Sequence, residues 1–169
     1  MGTQDRPDLI RRLESLKPVS LLAIGAGAAD LLEAYRKNHD DCRIACLDAD
    51  GALDARSLLD DLAGRGRFDF IIVRGVLERI DEQSGAHLLA TLRDLHTRRF
   101  CVVLAGKRDA GPWQASQLIA LGLSRWSSEA VDAAGEEIYG FDLGTYKATP
   151  AWLNPRHWAH PEHWGKFRW

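Results

Sequence analysis

The residues best placed to do chemistry follow the first two apolar runs of the chain. Residues 19–24 lead into a Gly-x-Gly turn and helical spacing resumes at once, which predicts a strand, a tight turn and a helix. Such a turn needs glycine, and the helix after it presents free N–H groups beyond the sheet. Asp48 ends the second run and would lie beside the turn, where a carboxylate can accept hydrogen bonds from two ribose hydroxyls. The candidate ligand-binding residues are Gly25, Ala26, Gly27, Asp30, Asp48 and Arg74.

A Gly-x-Gly pair alone is a weak signal, and here the strand–turn–helix context and the acidic end of the second strand strengthen it. In the alternative interpretation, Gly25 and Gly27 only let the helix pack close to the sheet. The sequence leaves both interpretations open.

Charged residues also follow two later strands of the predicted sheet. Glu78 and Arg74 come after the run 68–73, where a second reactant would approach, and Glu78 could take a proton from a hydroxyl or amine. The alternative is a solvated Arg/Glu pair at the start of a helix. A third group follows the last parallel strand and could meet an anionic ligand or form a charged surface loop; it consists of Lys107, Arg108 and Asp109.

Other residues with reactive side chains lack the partner residues and motifs that catalysis requires. His39, His87 and His96 lie in or beside predicted helices, with no partner at catalytic spacing. No serine stands in a nucleophile elbow and no Gly-x-x-x-x-Gly-Lys run is present, which argues against a hydrolase of that type and against a nucleoside triphosphatase.

The tail from residue 151 to 169 carries four of the six tryptophans and three of the six histidines. A six-residue repeat, Pro-x-His-Trp, predicts two one-turn helices. We expect the tail to pack back on the domain, because so much aromatic surface is costly to leave in water. The predicted organisation is therefore a domain at 1–147 with a packed tail at 148–169.

Three further roles of the tail can be weighed. We expect no metal at His157, His160 and His163, because their spacing suits one helix face poorly and no cysteine or carboxylate obviously completes the set. Basic residues among tryptophans could stack on single-stranded nucleic acid, but a net charge of −2 argues against that. A protein partner, bound through tryptophan and arginine side chains, is the better alternative.

Length and composition describe a single ordinary globular domain. The chain has 169 residues, with 46% hydrophobic and 27% charged residues. We expect a cytoplasmic protein with no membrane contact, because no signal peptide or long apolar run is evident. The three cysteines, Cys42, Cys46 and Cys101, have apolar neighbours and are predicted to be reduced core residues.

The order of elements predicts the fold class. Four apolar strands alternate with amphipathic helices, which indicates an α/β three-layer sandwich with a mostly parallel sheet covered on both faces. Two extended stretches at 124–131 and 137–146 predict an antiparallel hairpin at the sheet edge.

Residues 22–32, Asp48 and residues 68–80 together resemble the class I S-adenosylmethionine-dependent methyltransferases, a Rossmann-like superfamily. Residues 22–32 resemble the family's first motif, Asp48 the acidic end of its second strand, and residues 68–80 its fourth strand with the following loop. The resemblance implies S-adenosylmethionine as cofactor and a small-molecule acceptor. The whole chain also resembles a small bacterial family that joins this fold to a tryptophan-rich tail.

The chain departs from the family pattern at three places. Ala23 stands where the family has an acidic residue that helps hold the amino group of the methionine portion, and Ala29 replaces the third glycine. Only about twenty residues separate Asp48 from Phe68, too few for the usual third strand and its two flanking helices. We therefore expect the third strand unit to be missing and the adenine side of the pocket to be open or rebuilt.

Two hypotheses follow. The first is a methyltransferase-like protein that binds S-adenosylmethionine or a related nucleoside. The second is a degenerate, non-catalytic relative that works through protein partners or as a homodimer.

Overall fold

A computed structural model describes residues 7–48, 55–105, 113–126, 136–146, 160–163 and 166. It contains helices, strands and short helical turns in an alternating order. In chain order they are α1 (Pro7–Leu16), β1 (Ser20–Ile24), a 3-10 turn (Asp30–Leu32), α2 (Glu33–Asn38), β2 (Arg43–Leu47), α3 (Ala55–Ala63), β3 (Phe70–Arg74), a 3-10 turn (Leu77–Arg79), α4 (Glu82–Thr91), a π-helical turn (Leu92–His96), β4 (Arg99–Ala105), α5 (Ala115–Ala120), β5 (Ser124–Arg125), β6 (Glu136–Asp142) and a 3-10 turn (Pro161–His163).

The strands form one six-stranded sheet in the order β2-β1-β3-β4-β6-β5. The first four strands are parallel, and β6 pairs antiparallel with both β4 and β5. This confirms the predicted fold class, a mostly parallel α/β sheet that ends in an antiparallel pair. The carboxyl ends of β1, β2 and β3 therefore meet at one edge.

Side chains of β3 alternate between two apolar cores, one on each face of the sheet. Phe70 and Ile72 pack with residues of α1 and α2, whereas Ile71 and Val73 pack with residues of α3, α4 and α5. All four of these side chains are fully buried. The continuous apolar run that predicted a doubly covered strand is thus explained by helices on both faces.

The interval between β2 and β3 is short. Its described part holds a single helix, α3, and residues 49–54 lie outside the described residues. Because β2 forms the edge of the described sheet, its strand is less covered than predicted, with Arg43 and Cys46 exposed. The prediction of three core cysteines is therefore wrong for Cys46, while Cys101 is buried and Cys42 partly buried.

One predicted boundary is also corrected. The last extended stretch ends at Asp142 instead of residue 146, because the Asp142 carboxylate and carbonyl accept the N–H groups of Gly144 and Tyr146 and close a turn. Helix α5 begins at Ala115, and the Gln117 side chain accepts the N–H of Gln114, the residue before the helix.

Asp69 fixes β1 against β3 at the amino ends of the strands. Its Oδ2 accepts the N–H of Val19 at 2.9 Å, the N–H of Ser20 at 3.0 Å and the Ser20 hydroxyl at 3.1 Å. The Asp69 N–H donates in turn to the Ser20 carbonyl at 3.1 Å. These bonds set the register of the two strands far from the glycine turn.

In the described part of the chain, no helix is long and apolar enough to cross a membrane. Most of the tail lies outside the described residues, including the first predicted one-turn helix. The second is present as the 3-10 turn Pro161–His163. Packing of the tail on the domain stays a prediction.

Deletion of the chain after Thr149 is expected to remove soluble folded protein, because the tail would no longer cover apolar surface of the domain. The measurement is soluble yield and thermal melting by circular dichroism. Lys166→Ala, a change at an exposed tail residue, is the control and should melt like the parent. A truncated chain with an unchanged melting curve would show that the tail does not support the fold.

Candidate ligand site at the carboxyl edge of the sheet

The glycine turn has the backbone geometry that the sequence predicted. Gly25 and Gly27 have φ angles of +93° and +68°, a region that side chains other than glycine rarely adopt. The Ala28 N–H donates to the Gly25 carbonyl at 3.2 Å, and the chain then enters the 3-10 turn before α2. Ala26, in the glycine turn, and Asp30, at the start of the 3-10 turn, are both exposed to solvent.

Asp48 lies beside the turn. Ile24 pairs with Leu47 in the parallel ladder, and the Gly25 N–H donates to the Leu47 carbonyl at 2.9 Å. Asp48 is the next residue and is exposed to solvent. The structure thus brings together the carboxylate and the glycine turn, while their role in binding a ligand stays a prediction.

The glycine turn also packs tightly on the end of β3. A Cβ at Gly25 would overlap the carbonyl oxygen of Arg74 and a methyl group of Val76. Gly25 itself is buried. Close approach within the chain therefore accounts for Gly25, and the partner is the end of β3, not the helix that the alternative interpretation of the sequence named.

Arg74 fills the other side of the turn. Its Nη1 donates to the Gly27 carbonyl at 2.9 Å, and its Nε and Nη2 donate to Oε1 of Glu136 at 3.2 and 2.8 Å. A Cβ at Gly27 would overlap the same guanidinium. The side chains of Arg74 and Glu136 are only 27% and 15% exposed, so water screens this pair weakly.

The ion-pair partner of Arg74 corrects the sequence analysis, which suggested a solvated pair with Glu78. Glu136 begins β6, which is antiparallel to β4, and the register places it opposite Ala105 at the carboxyl edge. Glu78 lies in the turn Leu77–Arg79 and is half-buried. A residue 62 positions away in the chain could not be paired with Arg74 from sequence spacing.

The remaining candidates have ordinary structural surroundings. His96 is buried and its Nδ1 bonds to the Gly66 carbonyl at 2.8 Å, while His39 stacks on Tyr35. Ala23 is buried in the apolar core that faces α1 and α2. Lys107, Arg108 and Asp109 lie outside the described residues.

The tail turn brings a carboxylate between two histidines. The ring Nδ1 of His160 lies 2.9 Å from Oε1 of Glu162, and the His163 Nε2 lies 3.7 Å from the same oxygen. One donor atom from each side chain falls within 4.8 Å of the others, and all three side chains are exposed. Sequence reasoning missed Glu162, while His157 lies outside the described residues. The expectation of no metal stays a prediction.

A cavity of about 290 Å³ lies at the opposite edge of the sheet, near the amino ends of β1 and β3. It is separate from the glycine turn. Its walls are Leu16, Lys17, Pro18, Val19, Asp69, Phe70 and Arg99.

Solved structures described as methyltransferases resemble this fold. A protein of Nostoc punctiforme PCC 73102 described as an O-methyltransferase has a TM-score of 0.58 and 12% identity, over 79% of this chain and 54% of that one. The methyltransferase domain of bacterial CtHen1 has a TM-score of 0.56 and 14% identity, over 80% and 94%. PigF with SAH has a TM-score of 0.51 and 12% identity, over 80% and 53%.

The chain spans about half the length of the Nostoc protein and of PigF. The chain has a methyltransferase-like α/β fold. It belongs to the family of unknown function DUF6231, whose model matches residues 3–169. A search of curated proteins finds no match.

Gly25→Ala is expected to lower the free energy of unfolding by about 2 kcal/mol or more, because it adds a strained φ angle and a backbone overlap. Urea unfolding followed by circular dichroism measures it. Gly64→Ala is the control: the nearest heavy atom to its Cβ is the Asp61 carbonyl oxygen at 4.0 Å. A Gly25→Ala protein as stable as the control would contradict the close approach of β1 and β3.

Proposed function

We propose that this chain binds an adenosine-type nucleoside, S-adenosylmethionine or a related molecule, at the carboxyl edge of the sheet. The observation that carries the proposal is the exposed Asp48 carboxylate beside the glycine turn. In an open parallel sheet, ligands bind outside the carboxyl ends of the strands, and an acidic residue there holds ribose hydroxyls. The methyltransferase fold, which PigF with SAH shares, supports the same ligand class.

The fit of such a ligand differs between the two sides of the turn. On the β2 side, Asp48 is exposed and forms no hydrogen bond or ion pair with the described residues, so its carboxylate can accept bonds from a ribose. On the β3 side, the Arg74–Glu136 pair covers the Gly27 carbonyl. The chain therefore offers a nucleoside site more readily than a site for an attached amino acid.

Glu78 is the acid–base candidate for a small-molecule acceptor at this edge. It follows β3 in the turn Leu77–Arg79 and is half-buried. A carboxylate in that place can take a proton from a hydroxyl or an amine as the acceptor reacts.

A second candidate function is that of a non-catalytic protein that keeps the fold and works through a protein partner or as a homodimer. The observation in its favour is that contacts within the chain account for both turn glycines, since Gly25 packs on β3 and Gly27 on Arg74. The fold alone does not choose between the two functions. Light scattering measures the mass in solution and tests the homodimer directly.

Isothermal titration of the full chain with S-adenosylmethionine and S-adenosylhomocysteine tests the first function. Asp48→Asn should weaken binding about tenfold, the ratio expected when a charged hydrogen-bond acceptor is lost.

Asp41→Asn is the matched control, because Asp41 is exposed and lies just before β2, at the far end of the same strand. Equal affinities for the parent and the two variants would remove Asp48 from the site. Absence of heat with every nucleoside would leave the second function.

A further inference from the structure

Two charged groups flank the glycine turn on opposite sides. The sheet order β2-β1-β3 places the turn of β1 between Asp48, which follows β2, and Arg74, which ends β3. A ligand that lies across the turn must therefore meet an exposed carboxylate on one side and the Arg74–Glu136 ion pair on the other.

The Arg74 side is closed by bonds that are costly to break. The guanidinium donates to the Gly27 carbonyl and twice to one oxygen of Glu136, whose side chain is 15% exposed. Displacing Arg74 would leave a largely buried carboxylate without this cation, and removing one partner of such a pair is strongly destabilising.

A nucleoside that carries an amino acid would bring both an ammonium group and a carboxylate next to the Arg74–Glu136 ion pair, and neither group is well placed there. Its ammonium group would face a guanidinium of like charge that already occupies the Gly27 carbonyl. Its carboxylate could bind the guanidinium only by competing with Glu136. A short neutral substituent at the 5′ position of the nucleoside carries neither charge and occupies less space.

We infer that the site selects adenosine-type nucleosides with a short, uncharged 5′ substituent over those that carry an amino acid. The inference rests on the proposed function and narrows its ligand class. Arg74 acts as the specificity-determining residue, held in place by Glu136 and the Gly27 carbonyl.

Titration of the full chain with two probes tests the inference: 5′-deoxy-5′-methylthioadenosine and S-adenosylhomocysteine. The parent should bind the first probe about tenfold or more tightly than the second, the ratio that one lost charge-assisted hydrogen bond produces. Arg74→Ala should gain affinity for S-adenosylhomocysteine and bring the ratio close to one. Glu136→Gln should show a smaller gain, because it removes the carboxylate that competes for the guanidinium while Arg74 keeps its bond to the Gly27 carbonyl.

Arg99→Ala is the matched control. Arg99 and Asp142 form an ion pair of 3.1 Å between β4 and β6 at the other end of the same strands. Loss of this ion pair should leave unchanged the ratio of the affinities for the two probes. Circular dichroism checks that each variant folds, and if Arg74→Ala does not fold, Arg74→Gln, with a shorter uncharged side chain, takes its place.

The possible outcomes separate this inference from the proposed function. If the parent binds S-adenosylhomocysteine as tightly as the neutral probe, the inference is overturned and nucleoside binding stands. If neither probe binds the parent or the Arg74 variant, nucleoside binding itself is wrong. If binding occurs only after the substitution, Arg74 closes the whole site, and both ideas fail for the natural chain.

Discussion

The close approach of the glycine turn to the end of β3 is the constraint on which the candidate site depends. Gly25 lies against the carbonyl of Arg74, where no side chain would fit. The same residue donates to the Leu47 carbonyl, which places Asp48 beside the turn. Because the backbone of β1 lies so near that of β3, the Arg74 side chain can reach back to the Gly27 carbonyl. One backbone contact thus arranges both sides of the site.

That arrangement changes what a shared fold implies. The sheet order and the helices on both faces are those of a methyltransferase-like protein, yet a fold carries many functions and the site decides among them. Here an exposed acid, Asp48, lies on the β2 side of the glycine turn, and the Arg74–Glu136 ion pair lies on the β3 side.

The opposite edge of the sheet holds the fold together independently of the site. Asp69 ties the starts of β1 and β3 through three hydrogen bonds, and Arg99 pairs with Asp142 across β4 and β6. The Asp69 contacts lie at the far ends of β1 and β3, the strands that lead to the glycine turn and to Arg74, and the Arg99–Asp142 pair lies at the amino end of β4. Residues at the carboxyl edge can consequently change with less effect on strand register.

The sequence by itself determined the elements and their order, because apolar periodicity and turn residues act over a few positions. It predicted the strand–turn–helix at Gly25 and Gly27, and Asp48 at the end of the neighbouring strand. Only the tertiary structure decided that Arg74 pairs with Glu136, since the two are 62 positions apart and meet through an antiparallel strand. It also decided that Cys46 is exposed, because the exposure of a strand depends on which strands lie beside it. Local patterns fix secondary structure, whereas long-range strand pairing fixes which charged side chains meet at the carboxyl edge of the sheet.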